Sequence, residues 1–294
     1  MQSRGRMGNL KERSIIVCSI VRDAEKGLRR NIPVVKELCR QFASYKVVIY
    51  ENDSTDGTKA LLRAWMEEDE GNVFCMMSDG VSPPVTPSAS CVTCNPFFSN
   101  RRISKMAFLR NQYLDFVEQH HWEADFLLVV DLDVARLYLA GILSSFSLEV
   151  PEWDAVTAFG YSTSPRLRRR YHDTYALTEW GDEGNPQTEC KIRYLASKYA
   201  HLFGQERWTR VFSAFGGLAV YKFAAIRGLR YQALPNADER VEVRCEHYSL
   251  YRQMAARGFD KVYINPAMTL KYQDLTVRII IDSLQRRLTK RREH

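Results

Sequence analysis

The chain has 294 residues, of which 45% are hydrophobic and 26% charged, the composition of an ordinary soluble globular protein. No apolar run approaches the ~20 residues that cross a bilayer, and seven scattered cysteines, an odd number, argue against a disulfide framework. The net charge of +7 suits an anionic ligand or surface: nucleotide phosphate, nucleic acid, acidic glycan or anionic lipid.

Residues 1–13 are polar and basic without an apolar centre, so a flexible N-terminus and no secretory leader are expected. Ser14–Val21 reads as a buried strand, with Arg22-Asp23 at its carboxyl end. Ala24 to Tyr45 is helical in pattern, and Pro33 predicts a break just before it. Lys46–Glu51 is a second strand. The polar turn Asn52-Asp53-Ser54-Thr55-Asp56-Gly57-Thr58 then leads into a helix over Lys59–Glu68. Its Asp, Ser and Thr can cap that helix, whose first amides favour anions. Val73–Met77 is a third strand, giving β-α-β-α-β, the unit of a doubly wound sheet.

Ser78 to Asn100 is Ser- and Pro-rich and reads as a loop long enough to act as a lid. Within it Cys91-Val-Thr-Cys94 lacks two further zinc ligands and reads as reduced thiols, which fits a cytoplasmic setting. Arg101–Gln119 is a helix whose apolar stripe (Ile103, Met106, Ala107, Tyr113, Leu114, Val117) contains Arg110. A cation there needs a partner, either a structural carboxylate or a ligand phosphate.

Ala124 to Val134 is the segment around which the chain is organised. A short apolar run of this kind is a strand buried on both faces, and it ends in Asp131-Leu132-Asp133. Ligands of open α/β sheets bind at the carboxyl ends of the strands. Two crowded carboxylates there call for a cation, and oxygen ligands favour Mg²⁺ or Mn²⁺ bridging to phosphate. The plainer alternative is a strand that ends in solvated acids.

After Pro151 the pattern changes role within what reads as a single domain. Ala155–Phe159 is a strand, and Tyr161 to Asn185, with Arg166, Arg168, Arg169 and Arg170, reads as an acceptor-binding loop region. Those arginines form a run without aromatic interleaving, so nucleic-acid binding is not expected. Lys191–Phe203 is helical. Phe212-Ser-Ala-Phe-Gly216-Gly217 precedes a strand over Leu218–Tyr221, and the glycines let backbone amides approach a ligand. A helix runs from Cys245-Glu246-His247 to near Gly258, and Lys261–Ile264 is the last strand. Residues 277–294 read as a basic helical tail that either touches an anionic membrane surface or presents a solvated face.

In this order, Tyr50-Glu-Asn-Asp-Ser-Thr-Asp-Gly-Thr58, the helix with Leu109-Arg110-Asn111, and Val130-Asp131-Leu132-Asp133 resemble the GT-A fold glycosyltransferases. Tyr171 to Ala176 and Phe-Gly-Gly before a strand are similar to elements of the capsule-associated (CAP59-like) α-mannosyltransferase group. That group tends towards a weaker acidic motif than the full Asp-Leu-Asp seen here. The resemblance implies an α/β, Rossmann-like mixed and mainly parallel sheet flanked by helices. The single domain would cover residues 14–276, with a nucleotide-binding half (14–135) and an acceptor-binding half (136–276).

The resemblance also implies a transferase that uses a divalent cation and a nucleotide-diphosphate sugar, UDP-sugar ahead of GDP-sugar, with a glycan acceptor. By position Ser19, Arg22, Glu51, Asp56, Arg110, Asn111 and Asp131 would hold the nucleotide. Asp131 and Asp133 would hold the metal, with His247 completing the coordination. Gly216, Gly217, Tyr171 and Asp173 would touch sugar or acceptor. An inverting reaction needs a carboxylate base; Glu246 is the first candidate, followed by Asp182, Asp173 and Glu242. A plain acid at a helix N-terminus is the alternative for Glu246. A nucleotidyltransferase would suit the same carboxylates, but Cys18 to Asp23 lacks the glycine-rich loop that class shows. A non-catalytic glycan-binding module is the third reading.

Overall fold

The computed structural model describes residues 9–80, 95–164 and 168–274. Strand β1 (Ser14–Val21), helix α1 (Glu25–Cys39), strand β2 (Ser44–Asn52), helix α2 (Thr58–Glu68) and strand β3 (Val73–Ser78) form the opening β-α-β-α-β unit. Helix α3 (Asn100–Gln119), strand β4 (Phe126–Val130), strand β5 (Arg136–Leu137) and helix α4 (Leu139–Leu143) follow. The second half holds β6 (Ala155–Thr163), β7 (Arg169–Tyr171), β8 (Thr178–Glu179), α5 (Glu189–Lys198), β9 (Thr209–Ser213), β10 (Leu218–Lys222), α6 (Phe223–Ile226), α7 (Glu246–Ala256) and β11 (Val262–Lys271).

One sheet contains them in the order β3-β2-β1-β4-β10-β6-β11-β9-β8, with β5 beside β11 and β7 beside β6. The first four strands are parallel to one another. Strand β10 runs antiparallel between β4 and β6, and β6 and β11 are again parallel. The antiparallel β10 separates the parallel strands of the first half from β6 and β11 of the second.

Alternation along β1 explains the three layers. Ile16 and Cys18 join the core beneath α3, whereas Ile15 and Val17 join the core beneath α1 and α2. The four residues Leu127, Leu128, Val129 and Val130 of β4 divide the same way and are each at most 1% exposed. Full burial of such side chains stabilises by about 1.5–3 kcal/mol each, which is why the apolar run must be a central strand. Among the described residues no helix is long and apolar enough to cross a membrane.

Two boundaries differ from expectation. Helix α1 runs unbroken through Pro33. Proline removes the bond to the carbonyl four residues back, but Arg29 and Pro33 both lie on the solvent face, where water can take that carbonyl. Burial of Leu28, Ile32, Val35 and Leu38 on the other face holds the helix together. Strand β11 continues well past Ile264, because Pro266 falls in a bulge between Asn265 and Thr269, where a strand tolerates proline. Buried Asn265 secures the bulge: Nδ2 donates to Ser144 Oγ (3.0 Å) and Ser145 Oγ (2.9 Å), and Oδ1 accepts from Ala267 N (2.9 Å). The longer strand delivers Tyr272 to the edge of the sheet where β4 ends.

Candidate functional site

Backbone contacts from α1 fix the Asp131-Leu132-Asp133 loop. Asn31, 1% exposed, donates Nδ2 to Leu132 O (3.0 Å) and Val134 O (2.8 Å) and accepts Leu137 N at Oδ1 (3.2 Å). One turn earlier Gly27 faces the same loop; a Cβ there would sit 2.5 Å from Leu132 O and 2.6 Å from Asp133 Cα. Both neighbours are backbone, so Gly27→Ala is expected to displace Asp133. Transfer should fall at least tenfold with the circular dichroism spectrum unchanged, and unchanged turnover would show that the loop is not held from this side.

The other end of α1 is tied to the polar turn after β2. Glu25 N donates to Asp56 Oδ2 (3.1 Å), Gly57 N to Glu25 Oε2 (3.1 Å), and Thr58 N to Asp56 Oδ1 (3.0 Å). Asp56 therefore caps two helices, and these bonds hold its carboxyl below the usual range despite some loss of solvent. Ser19 is likewise committed, its hydroxyl donating to Val130 O (2.7 Å) and tying β1 to β4. Arg22 is exposed and stands beside Asp23, 3.6 Å away. Glu51 is fully buried. Its Oε1 accepts Ser54 N (2.8 Å), while Oε2 has no hydrogen-bond partner and lies 4.0 Å from Lys59 Nζ.

Arg110 is the hub of the site. Its Nε donates to Glu246 Oε1 (3.1 Å) and its Nη2 to Asp131 Oδ1 (3.4 Å). Its Cζ lies 4.8 Å from the centre of the Phe215 ring, and Nη1 is buried without a partner. Tyr272 OH donates to the second oxygen of Asp131 (2.8 Å), and Asp131 N donates to Gly217 O (2.9 Å). Gly216 N donates to Asp173 Oδ2 (3.3 Å), and Asp173 itself adopts φ +63°. A non-glycine residue in that region is uncommon and clusters at functional sites. The two glycines are required: a Cβ at Gly216 would meet Ala158 O at 2.2 Å, and one at Gly217 would meet the Tyr272 ring at 2.8 Å.

The cluster carries more acid than base. Desolvation raises Asp131 above the ordinary carboxylate range, with Arg110 and Tyr272 opposing it. Asp173 is pushed up to about 8 by burial first, then by the charges of Asp131 and Glu246. Asp133 is open to solvent on one side and packed against α1 on the other. Desolvation on the packed side and the charge of Asp131 push it up to about 6. For Arg110, burial works against the charge, but Asp131 and Glu246 outweigh it and keep the guanidinium firmly protonated.

Several expected site residues take other places. His247, 1% exposed, lies stacked on Phe215 (4.0 Å between ring centres) and edge-on to Tyr231 (5.4 Å). Burial, and Arg110 after it, hold its imidazole well below the usual range. No group of three His, Cys, Asp or Glu able to hold a metal ion occurs among the described residues, so the expected trio with Asp131 and Asp133 is not assembled. Asn111 is committed to Tyr231, donating to its carbonyl (3.0 Å) and accepting its amide (2.8 Å). Tyr171 is a core residue packed against Phe159 (5.4 Å) and Tyr199 (5.9 Å), which withdraws it from any acceptor. Asp182 is paired with Lys191, and Glu246 is neutralised by Arg110. The Cys91/Cys94 pair and the basic tail lie outside the described residues.

Sequence reasoning missed Tyr272, Asn31 and Gly27. Tyr272 and Asn31 act across 141 and roughly 100 residues of sequence. Only the glycine in an otherwise strong helix pattern was a usable signal, because such a glycine costs about 1 kcal/mol unless close packing requires it.

A parallel sheet whose central strand delivers carboxylates to its carboxyl edge, extended by a mixed second half, is the architecture of the GT-A class. The chain belongs to the family described as Cryptococcal mannosyltransferase 1, whose model matches residues 14–250. A comparison with curated proteins gives no match. Among solved structures the chain is similar to the mannosyltransferase PcManGT from Pyrobaculum calidifontis in complex with GDP-Man and Mn²⁺. The identity is 13% over 91% of this chain and 58% of that one, with a TM-score of 0.48. It is also similar to GalNAc-T7 with UDP, GalNAc and Mn²⁺ (11% identity, 93% and 48% coverage, TM-score 0.45). A third is glucosyl-3-phosphoglycerate synthase from Mycobacterium tuberculosis with Mn²⁺, UDP and phosphoglyceric acid (12%, 97% and 78%, 0.44). The chain thus spans about half the length of the first two of these proteins.

Proposed function

We propose that the protein is a metal-dependent glycosyltransferase that moves a sugar, by family description mannose, from a nucleotide-diphosphate donor to a glycan acceptor. The family description names a mannosyltransferase and no nucleotide, so GDP-mannose is tested beside the UDP-sugars favoured from sequence. The observation that carries the reading is the excess of acid at the end of β4: Asp131 and Glu246 share one guanidinium, the charge of Asp131 also acts on Asp133 and Asp173, and the three aspartates all have raised carboxyl pKa values. Such a site gains from a dication.

The donor set fits Mn²⁺ or Mg²⁺, which need only one or two carboxylates when substrate phosphates complete the shell. Asp133 would hold the ion, since Arg110 and Tyr272 already engage both oxygens of Asp131. A bound dication neutralises charge developing on a leaving diphosphate. Arg110 and Tyr272 keep Asp131 from swinging away, and Glu51, whose Oε2 accepts no hydrogen bond and stands 4.0 Å from Lys59 Nζ, would serve the nucleotide side. Asp173 in its ionised form replaces Glu246 as the carboxyl to take the proton of the acceptor hydroxyl, because Glu246 is hydrogen-bonded to Arg110 whereas Asp173 accepts the Gly216 amide.

The test is a screen of GDP- and UDP-sugars, with and without Mn²⁺, for thermal stabilisation and slow donor hydrolysis. GDP-mannose with Mn²⁺ is expected to raise the melting temperature by several degrees and to release GDP. Stabilisation by nucleoside triphosphate with release of pyrophosphate would instead favour a nucleotidyltransferase. Binding without any hydrolysis would favour a glycan-binding module.

A further inference from the structure

The run of arginines in the second half is not used by the site described so far. Arg169 and Arg170 lie on β7, which forms a hairpin with β6 in which Thr163 stands opposite Arg169. Arg169 places its guanidinium carbon over Phe203, 3.8 Å from the ring centre, and 5.8 Å from that of Tyr161. Stacking of this kind fixes the plane of the group and leaves its in-plane N–H donors pointing outwards. Beside it is a concavity of about 600 Å³ lined by Thr163, Arg169, Ala200, His201 and Phe203.

Charge pairing around the concavity is selective. The nearby cations Lys191, Arg193 and Lys198 are each paired, with Asp182, Glu189 and Glu179. Among the described residues no ion pair engages Arg168, Arg169 or Arg170, and all three are exposed. A hairpin that served only solubility would be expected to interleave acids with its arginines; this one presents like charges beside a hollow.

Its position ties it to the chemistry. The same hairpin continues into His172 and Asp173, and His172 N donates to Gly160 O (2.8 Å). Gly160 in turn packs against Gly216, whose carbonyl would lie 2.1 Å from a Cβ at position 160. Thr163 is three residues further along β6, about 10 Å at roughly 3.3 Å per residue. That is a distance a short oligosaccharide spans.

We propose that this concavity binds an anionic group, phosphate or carboxylate, carried by the saccharide acceptor, with Arg169 as the principal contact. The inference rests on the glycosyltransferase reading and adds the charge class of the acceptor to it.

The test compares α-mannobiose with α-mannobiose bearing one phosphate as acceptors, for the wild-type chain and for Arg169→Gln, at low and at high salt. Wild type is expected to show a KM at least tenfold lower for the phosphorylated acceptor at low salt. The advantage should shrink as salt screens the contact and disappear in Arg169→Gln, with kcat unchanged. Because Arg169 is exposed, the variant should fold, and its Mn²⁺-dependent donor hydrolysis, measured without acceptor, should match wild type. Equal KM values for the two acceptors, or a preference that survives Arg169→Gln, would overturn the proposal while leaving the transferase reading intact. Absence of donor hydrolysis in the wild type would instead remove that underlying reading. Sedimentation with phosphatidylserine vesicles separates the remaining source of phosphate. Vesicle binding lost in Arg169→Gln, with no difference between the soluble acceptors, would assign the patch to a membrane surface and overturn the saccharide proposal.

Discussion

Arg110→Ala is expected to destabilise the protein by about 3–5 kcal/mol, the usual cost of breaking a buried ion pair from one side. The cost comes from what stays behind. Glu246 and Asp131 keep side-chain exposures of 5% and 17%, and without the guanidinium two carboxylates face each other in a site that already raises Asp131. The sign with pH follows. An acid raised in the folded state binds more protons there than when unfolded. Stability is therefore lost as pH rises from about 4, where free carboxylates titrate, and the deficit of the variant should be smallest in mild acid. Replacing both partners, Arg110→Met with Glu246→Leu, should recover much of the loss, since apolar groups of similar size often match a buried pair. Urea unfolding at pH 5 and pH 8 measures all of this. A wild-type midpoint for Arg110→Ala at pH 8 would mean that the hub carries no structural weight.

Asp133→Asn should separate activity from stability. It is expected to lower transfer by about a hundred- to a thousandfold if the ion is held there, the size of effect seen when a principal electrostatic stabiliser is removed. Yet it should raise the melting temperature at pH 7.5. The carboxyl of Asp133 is pushed up to about 6 in the folded protein, above the ~3.9 of an unfolded aspartate. It opposes folding increasingly from pH ~4 to ~6, and fully above that. Asparagine removes the penalty, so the gain should be present at pH 7.5 and vanish below pH ~4. Added Mn²⁺ should stabilise wild type and leave the variant unmoved. A variant that is less stable than wild type at pH 7.5, or that turns over as fast as wild type, would contradict this account. A residue kept despite such a cost is a familiar mark of a working site.

What was legible in the sequence depended on the range of the interactions involved. Strands β1 and β4 were readable because continuous apolar runs have few homes other than the centre of a sheet. The start of α2 followed from the capping residues of the polar turn before it, and α3 from its apolar stripe. The strand pairing of the first half followed from the β-α-β-α-β pattern. Pro33 misled because its effect depends on which face it occupies, and Pro266 misled because a bulge supported by Asn265 absorbs it. The candidate site was half legible. Asp131, Asp133, Arg110, Asp173, Gly216 and Gly217 do meet, but their duties could not be divided from sequence. Nothing in the order of residues says that Arg110 neutralises Glu246, that Asn111 serves Tyr231, or that His247 lies under Phe215. The first two arise from contacts across 136 and 120 residues of sequence, and the third from the packing of α7 against the loop before β10.

Helix α1 touches both walls of the site. Near its start Glu25 is bonded to the turn after β2, and at Gly27 and Asn31 it grips the acidic loop. Six residues at 1.5 Å each make a rod of about 9 Å between those attachments. The spacing between the turn after β2 and the acidic loop is thus a fixed length, not an adjustable one. A change of donor preference in this scaffold has to come from side chains that fill the gap, because neither wall can retreat without dragging the other.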